Sequence, residues 1–254
     1  MTVDAYAHVS LTRYEPLPVL EQTMAEHRVS RAVLVQHLGN VDNSYIAQAV
    51  ASRRERFAGV ALLDATAASW RDDLEAIVEA GVLRGLRVTA VDLRTAPQLA
   101  YAARAAGLRL CVYLPPGQLG GSAEAVRDLG ASGHTAPVVL THLGGATGLE
   151  DLHHLERWAA LPHTYVTLSG LQMTEPHPFP RMGPLARAAL AMFGPRRVMW
   201  GSNFPVEGTG RYADELRWLV EQTDLAGPDD VALMTGGNAE HVWFTDDSGG
   251  EARD

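Results

Sequence analysis

Eight short runs of apolar, β-type residues alternate along this chain with eight segments of helical period. No other feature constrains the fold as strongly. The runs lie at 2–9, 31–36, 57–63, 82–88, 108–113, 137–142, 165–168 and 197–200. The helical segments lie near 18–28, 43–55, 68–80, 97–106, 121–130, 149–159, 184–193 and 211–222. In the first segment Gln22 and Glu26 fall on one side and Leu20 and Met24 on the other, as a helix requires. Strands separated by helices run parallel, and parallel strands are buried on both faces. Eight such units in 254 residues predict an α/β chain folded as a single (β/α)8 TIM barrel. The barrel would span 1–244, with 245–254 as a flexible tail. An open doubly wound sheet is the alternative. A glycine-rich dinucleotide fingerprint after the first strand would favour it, but that turn reads HVSLTRYEP.

Composition removes several functions. The net charge of −9 and the lack of a basic run argue against a nucleic-acid surface. The chain contains no lysine, which excludes Schiff-base chemistry, a lysine base and a carbamylated-lysine metal bridge. Its single cysteine, Cys111, has no internal partner and sits in the apolar run 108–114, as a packing residue does. No apolar stretch approaches the ~20 residues of a transmembrane helix. The start, MTVDAYAHVS, lacks the basic and apolar regions of a signal peptide. A cytoplasmic protein with no membrane partner is the expectation.

In a parallel barrel the site lies at the C-terminal ends of the strands. Those ends offer Tyr6 and His8, then Gln36 and His37, Asp64, Arg87, Tyr113, His142, Ser169 and Asn203. In the first strand Asp4, Tyr6 and His8 share one parity, which predicts that all three point into the barrel. Val138, Leu140 and His142 share a parity in the sixth. Arg87 is the only cation at these ends and calls for an anion, either Asp64 or a substrate carboxylate. The loop QMTEPHPFPRM follows the seventh strand and would bring His177 over the mouth. His153 and His154 read as a solvated helix face, His27 and His241 as helix-end residues. His134 and His163 precede strands, on the face that serves stability.

The ordered set of GLRV, THLGG, VTLSGL, RVMWGSNFPV and GNAEHVW, behind a first strand with an early aspartate and a late histidine, resembles the amidohydrolase superfamily. Within it, the set is similar to the branch of 2-pyrone-4,6-dicarboxylate lactonases and of decarboxylases of small organic acids. The resemblance runs from about Val3 to Trp243. It implies a His-x-His pair on the first strand, where this chain has Tyr6 and His8, and a strand-six histidine, matched by His142. It also implies a Gly-Ser-Asp signature whose aspartate activates water. Here that position is Asn203, and an amide cannot take up a proton.

These exchanges leave few ligands for a metal, because catalytic zinc normally takes three protein donors. The expectation is therefore an amidohydrolase-like enzyme that needs no cofactor and does acid–base chemistry on a small carboxylate- or lactone-bearing substrate. Its reactions would be lactone opening or closing, cyclisation, isomerisation, a decarboxylation-like step or hydrolysis. His8, His142, Tyr6 and Asn203 form the catalytic set; Arg87, Tyr113, Ser169, His37, His177 and Gln36 form the substrate-binding set. One alternative is a metal-dependent hydrolase or decarboxylase that holds a zinc or manganese ion through atypical ligands. Another is a ligand-binding protein without activity. A homodimer is compatible with the sequence.

Overall fold

Runs that are apolar on both faces can only be satisfied between two layers, and each becomes a strand with one face to the barrel interior and one to the helices. The computed structural model describes residues 1–206, 208–221 and 226–245. Eight parallel strands lie in chain order: β1 (Val3–Ala7), β2 (Arg31–Val35), β3 (Phe57–Leu62), β4 (Gly85–Thr89), β5 (Arg109–Tyr113), β6 (Val138–Leu140), β7 (Thr164–Leu168) and β8 (Val198–Trp200). The seam between β8 and β1 closes just past the end of β8. There Ala7 bridges Phe204, the Asn203 N–H donates to the Tyr6 carbonyl (2.9 Å), and the His8 N–H donates to the Phe204 carbonyl (2.7 Å). The result is the expected (β/α)8 barrel.

Alternate residues serve the two faces. Leu34, Leu86, Val88, Leu110, Val112 and Val166 pack beneath the helices. Val33, Val35, Val60, Cys111, Val139 and Met199 fill the interior. Burial there pushes the Cys111 thiol up to about 12, which makes it a packing group. The N-terminal end of the barrel is plugged by helix Asn238–Phe244, whose Val242 and Trp243 join the interior cluster. Gly85 makes room for this plug, since a Cβ there would lie 2.8 Å from the Trp243 ring and 2.7 Å from the Arg109 carbonyl.

The predicted elements recur with ends shifted by a few residues, and some helices escape the periodicity. Ala90–Thr95 is too short to show a period; it is started by a Thr89–Asp92 capping box. The stretch from Pro228 through the π-turn Leu233–Gly237 into Asn238–Phe244 is also helical. Of the predicted tail, 246–254 lies outside the described residues, as does position 222 of the predicted segment 211–222. Among the described residues no helix is long and apolar enough to cross a membrane.

The parity expected for β1 is only half right. Asp4 pairs in register with Ala32, but Ala7 pairs with Leu34, so β1 carries one extra residue between them. This bulge reverses the alternation. Val3 and Ala5 face the interior, and Tyr6 joins them there. Asp4 faces away and accepts from the Ser202 backbone N–H (2.8 Å), the Ser202 hydroxyl (2.5 Å) and the Tyr6 N–H (3.1 Å). Strand-parity reasoning fails here because it assumes an unbroken ladder.

Candidate functional site

At the C-terminal ends of the strands the bulge presents Tyr6 inward, and Tyr6 becomes the centre of a ring cluster. Its ring meets His8 edge-on at 4.9 Å and His142 at 4.7 Å between centroids. Tyr113 meets His142 at 5.9 Å. The Arg87 guanidinium lies 5.8 Å from the Tyr6 ring centre and 5.1 Å from that of Tyr113. Tyr14 stacks on His8 at 5.4 Å with planes 16° apart and meets His37 edge-on. Side chains from β1, β4, β5 and the loops after β1, β2 and β6 therefore converge on one place.

The electrostatics of this cluster are unusual for a buried site. Arg87 is 4% exposed and donates from Nη1 to the Gln36 carbonyl at 2.8 Å. Its Nε has no partner, and among the described residues no carboxylate pairs with it. Burial, and then the nearby Arg87 charge, hold His8 well below its ordinary 6.5 and push His142 down to about 3. Both imidazoles are neutral at neutral pH. His8 spends Nδ1 on the Val35 carbonyl at 2.7 Å. A carbonyl only accepts, so Nδ1 carries the proton and Nε2 keeps its lone pair. The Tyr6 phenol is raised by burial, stays protonated, and its hydroxyl has no partner among the described residues.

His142 reaches the cluster by a route its parity does not describe. β6 ends at Leu140, and His142, Leu143, Gly144 and Gly145 all have positive φ, between 50° and 69°. This left-handed turn swings the ring off the helix-facing side shared by Val138 and Leu140 and over the mouth. Its Nδ1 lies 2.9 Å from the Ser169 hydroxyl, which lies 2.9 Å from the Thr167 hydroxyl. The main-chain N–H of His142 donates to that same Thr167 oxygen at 3.1 Å. Gly170, at φ 74°, must be glycine because a Cβ there would sit 2.8 Å from His142 Nδ1.

The remaining predicted residues divide. Asn203 is buried in the β8–β1 seam in a left-handed conformation that asparagine tolerates, and its amide donates to the Met173 sulfur at 3.3 Å. His37 joins the cluster only through Tyr14. The Gln36 side chain is turned away: it donates to the Asp42 carbonyl and accepts from the His37 N–H. Only its backbone oxygen serves the site, through Arg87. His177 is not at the mouth; its Nε2 lies 3.3 Å from Glu221, at the far end of helix Asp214–Glu221, and its ring abuts Phe179. Asp64 is exposed and caps its own loop by accepting from the Thr66 N–H and hydroxyl, so it is not the counterion of Arg87.

Three residues of the cluster are absent from the sequence reading. Tyr14 lies in the loop HVSLTRYEP, where an aromatic after strand one is a signal in itself. Thr167 sits two residues before Ser169 on the same strand face, a spacing that could have found it. Met173 has no signal in the sequence. For a metal, the mouth supplies two neutral imidazoles, a protonated phenol and an amide beside a guanidinium. Among the described residues no three His, Cys, Asp or Glu side chains are grouped to hold an ion.

Residues 8–245 match the family model described as amidohydrolase. A stretch of 116 residues is 36% identical to an L-fucono-1,5-lactonase of Burkholderia ambifaria, covering 42% of this chain and 40% of that protein. The match thus spans less than half of the lactonase. An amidohydrolase from Burkholderia multivorans, solved with zinc bound, superposes with a TM-score of 0.77 at 21% identity over 95% of this chain and 98% of that one. A candidate 2-pyrone-4,6-dicarboxylic acid hydrolase from Pseudomonas putida gives 0.75 at 20% identity, over 95% and 96%. At such identities these two structures speak for the fold.

Proposed function

Because the chain belongs to the amidohydrolase family, we propose that it is a hydrolase-type enzyme that opens, or in reverse closes, the ring of a small lactone bearing a carboxylate. The chemistry is acid–base chemistry carried by the two histidines, without a bound metal. The observation that carries the reading is Arg87, a buried cation that among the described residues has an unmet donor and no carboxylate partner, set against two neutral imidazoles. A buried charge is tolerated when something neutralises it, and a substrate carboxylate held bidentately does so.

With the carboxylate on Arg87, the lactone carbonyl lies among Tyr6, His8 and His142. His8 Nε2 accepts a proton from water as the new C–O bond forms. The resulting oxyanion is met by hydrogen-bond donors from Tyr6 and His142. Collapse breaks the ring C–O bond, and the proton held on His8 passes to the departing oxygen. Asn203 holds the β8–β1 seam and the Met173 loop; as an amide it takes no proton. The donor set does not fit a catalytic dication, which would sit beside Arg87 with no carboxylate or thiolate to offset its charge.

The test is hydrolysis of a panel of carboxylated lactones and of L-fucono-1,5-lactone, followed by acid release, with and without chelator. Opening of a carboxylated lactone at an unchanged rate in chelator, and its loss in Arg87→Met, is the expected outcome. Activity lost on chelation and restored by zinc or manganese would overturn the metal-free reading.

A further inference from the structure

We infer that Thr167 is a positioning residue, which acts through Ser169 to hold His142 with its proton on Nε2, turned toward the mouth. The main-chain N–H of His142 can only donate, and it donates to the Thr167 oxygen (3.1 Å). The single Thr167 proton must therefore point elsewhere. Its one further hydrogen-bond partner among the described residues is the Ser169 oxygen at 2.9 Å. The Ser169 proton is then directed to its own second neighbour, His142 Nδ1 at 2.9 Å. Nδ1 accepts, so the ring proton sits on Nε2.

The reverse arrangement fails at its last link. If Nδ1 donated to Ser169 and Ser169 to Thr167, the Thr167 oxygen would receive two protons while its own had no acceptor. Thr167 is fully buried, so bulk solvent cannot make up the loss. The backbone amide thus sets the sense of the whole cycle. Thr167 lies in β7 and Ser169 just past its end, their hydroxyls on one side, and Gly170 leaves the imidazole room to lie against them.

His8 is held the opposite way, with Nδ1 protonated by the Val35 carbonyl and Nε2 bare. Two neutral imidazoles, both against the Tyr6 ring, then present one acceptor and one donor. The catalytic meaning of this pairing rests on the acid–base reading above; the tautomer itself does not. Ser169 accordingly belongs to the orientation of His142 and not to substrate binding.

The experiment is a two-bond proton–nitrogen correlation spectrum of the full chain labelled with 15N-histidine, at neutral pH. The His142 signals are identified by their absence in His142→Gln. The expected wild-type pattern has a pyrrole-type Nε2 and a pyridine-type Nδ1. In Thr167→Val the two nitrogen shifts move toward each other as the second tautomer becomes populated, and Thr167→Ser restores the wild-type pattern. With a turned-over lactone in hand, Thr167→Val lowers kcat about tenfold with KM held. A wild-type His142 protonated on Nδ1 would overturn the inference outright, as would a Thr167→Val spectrum identical to wild type. Should Thr167→Val fail to fold, the wild-type spectrum and Ser169→Ala decide the matter. If His142→Gln kept full lactone turnover, the proposed function would fall while the tautomer assignment stood.

Discussion

Arg87 and Arg104 are buried to the same degree at opposite ends of the barrel, 4% and 5% exposed, yet the chain treats them differently. Arg104 closes the last turn of helix Pro97–Ala105 and donates to the carbonyls of Leu129, His134 and Ala136 and to the Ser132 hydroxyl. All three of its nitrogens are engaged. Among the described residues Arg87 has one hydrogen bond, to the Gln36 carbonyl, and its Nε meets no acceptor. A guanidinium saturated by carbonyls is mortar for a loop; one left unmet at the mouth is waiting for a ligand. Burial alone does not separate the two roles, whereas counting satisfied donors does.

The largest effect expected from this contrast is at the mouth. Arg87→Met should lower kcat/KM on a carboxylated lactone by about 10²–10³-fold, the range for removing a buried charged anchor. The melting temperature should hold or rise, because an unpaired buried charge has gone. A fall in stability without a fall in activity would break the distinction between the ends. Arg104→Met should do the opposite. It strands carbonyls of the loop before β6 and should cost about 3 kcal/mol, or roughly 6–12 °C in Tm. Turnover per folded molecule should be unchanged.

A third prediction adds the missing donors. Tyr6→His with Asn203→Asp restores a second histidine and a carboxylate where the family resemblance expects them. Zinc measured by elemental mass spectrometry after dialysis should rise from near zero to approach about one per chain. Equal zinc in both proteins would remove the donor-set argument.

The fourth and smallest effect concerns pH. Glu215 is fully buried, and burial pushes its carboxyl from the ordinary 4.5 up to about 8. The folded chain therefore binds a proton that the unfolded chain lacks between these values. Stability should increase as pH falls from about 8, gaining until about 4.5. His8 and His142 act the other way below 6.5, since both stay neutral when folded and charge when unfolded. Melting temperature should thus climb from pH 8 to near 6.5 and then flatten or fall. Glu215→Gln should abolish the climb above pH 6.5 and steepen the fall between 6.5 and 4.5, where the Glu215 proton otherwise offsets the histidines. The same neutral histidines predict that kcat/KM does not drop through pH 6.5, where an ordinary histidine base would be lost.

Most of the barrel was readable from the alternation of apolar runs and helical segments, because that pattern is a direct record of burial on two faces. What escaped it were places where the backbone leaves its regular form. The extra residue in β1 moves Asp4 out of the interior, and the left-handed turn at His142–Gly145 carries an imidazole across from the wrong side. Neither leaves a mark in residue type beyond two glycines. Tyr6, His8, Arg87, Tyr113, His142 and Ser169, which the structure brings together, stand out in the sequence because polar side chains at the ends of buried strands are conspicuous. Thr167 was passed over because a threonine in a strand reads as ordinary β-propensity. The Gln36 and His177 side chains turn elsewhere, because nearness to a strand end says nothing about which way a side chain turns.

The bulge in β1 also bears on how such a barrel can change over time. Below it, Val3 and Ala5 answer to the apolar filling that meets the C-terminal plug; above it, Tyr6 and His8 answer to the mouth. The extra residue uncouples these two phases, so the lower half of the strand can be repacked without rotating the upper half. A barrel with this joint is free to exchange residues at the reacting end, such as the tyrosine at the position where the family resemblance expects a histidine, while the foundation keeps its own pattern. Removing one residue between Asp4 and Ala7 would lock the halves together again, and every such exchange would have to be negotiated with the core.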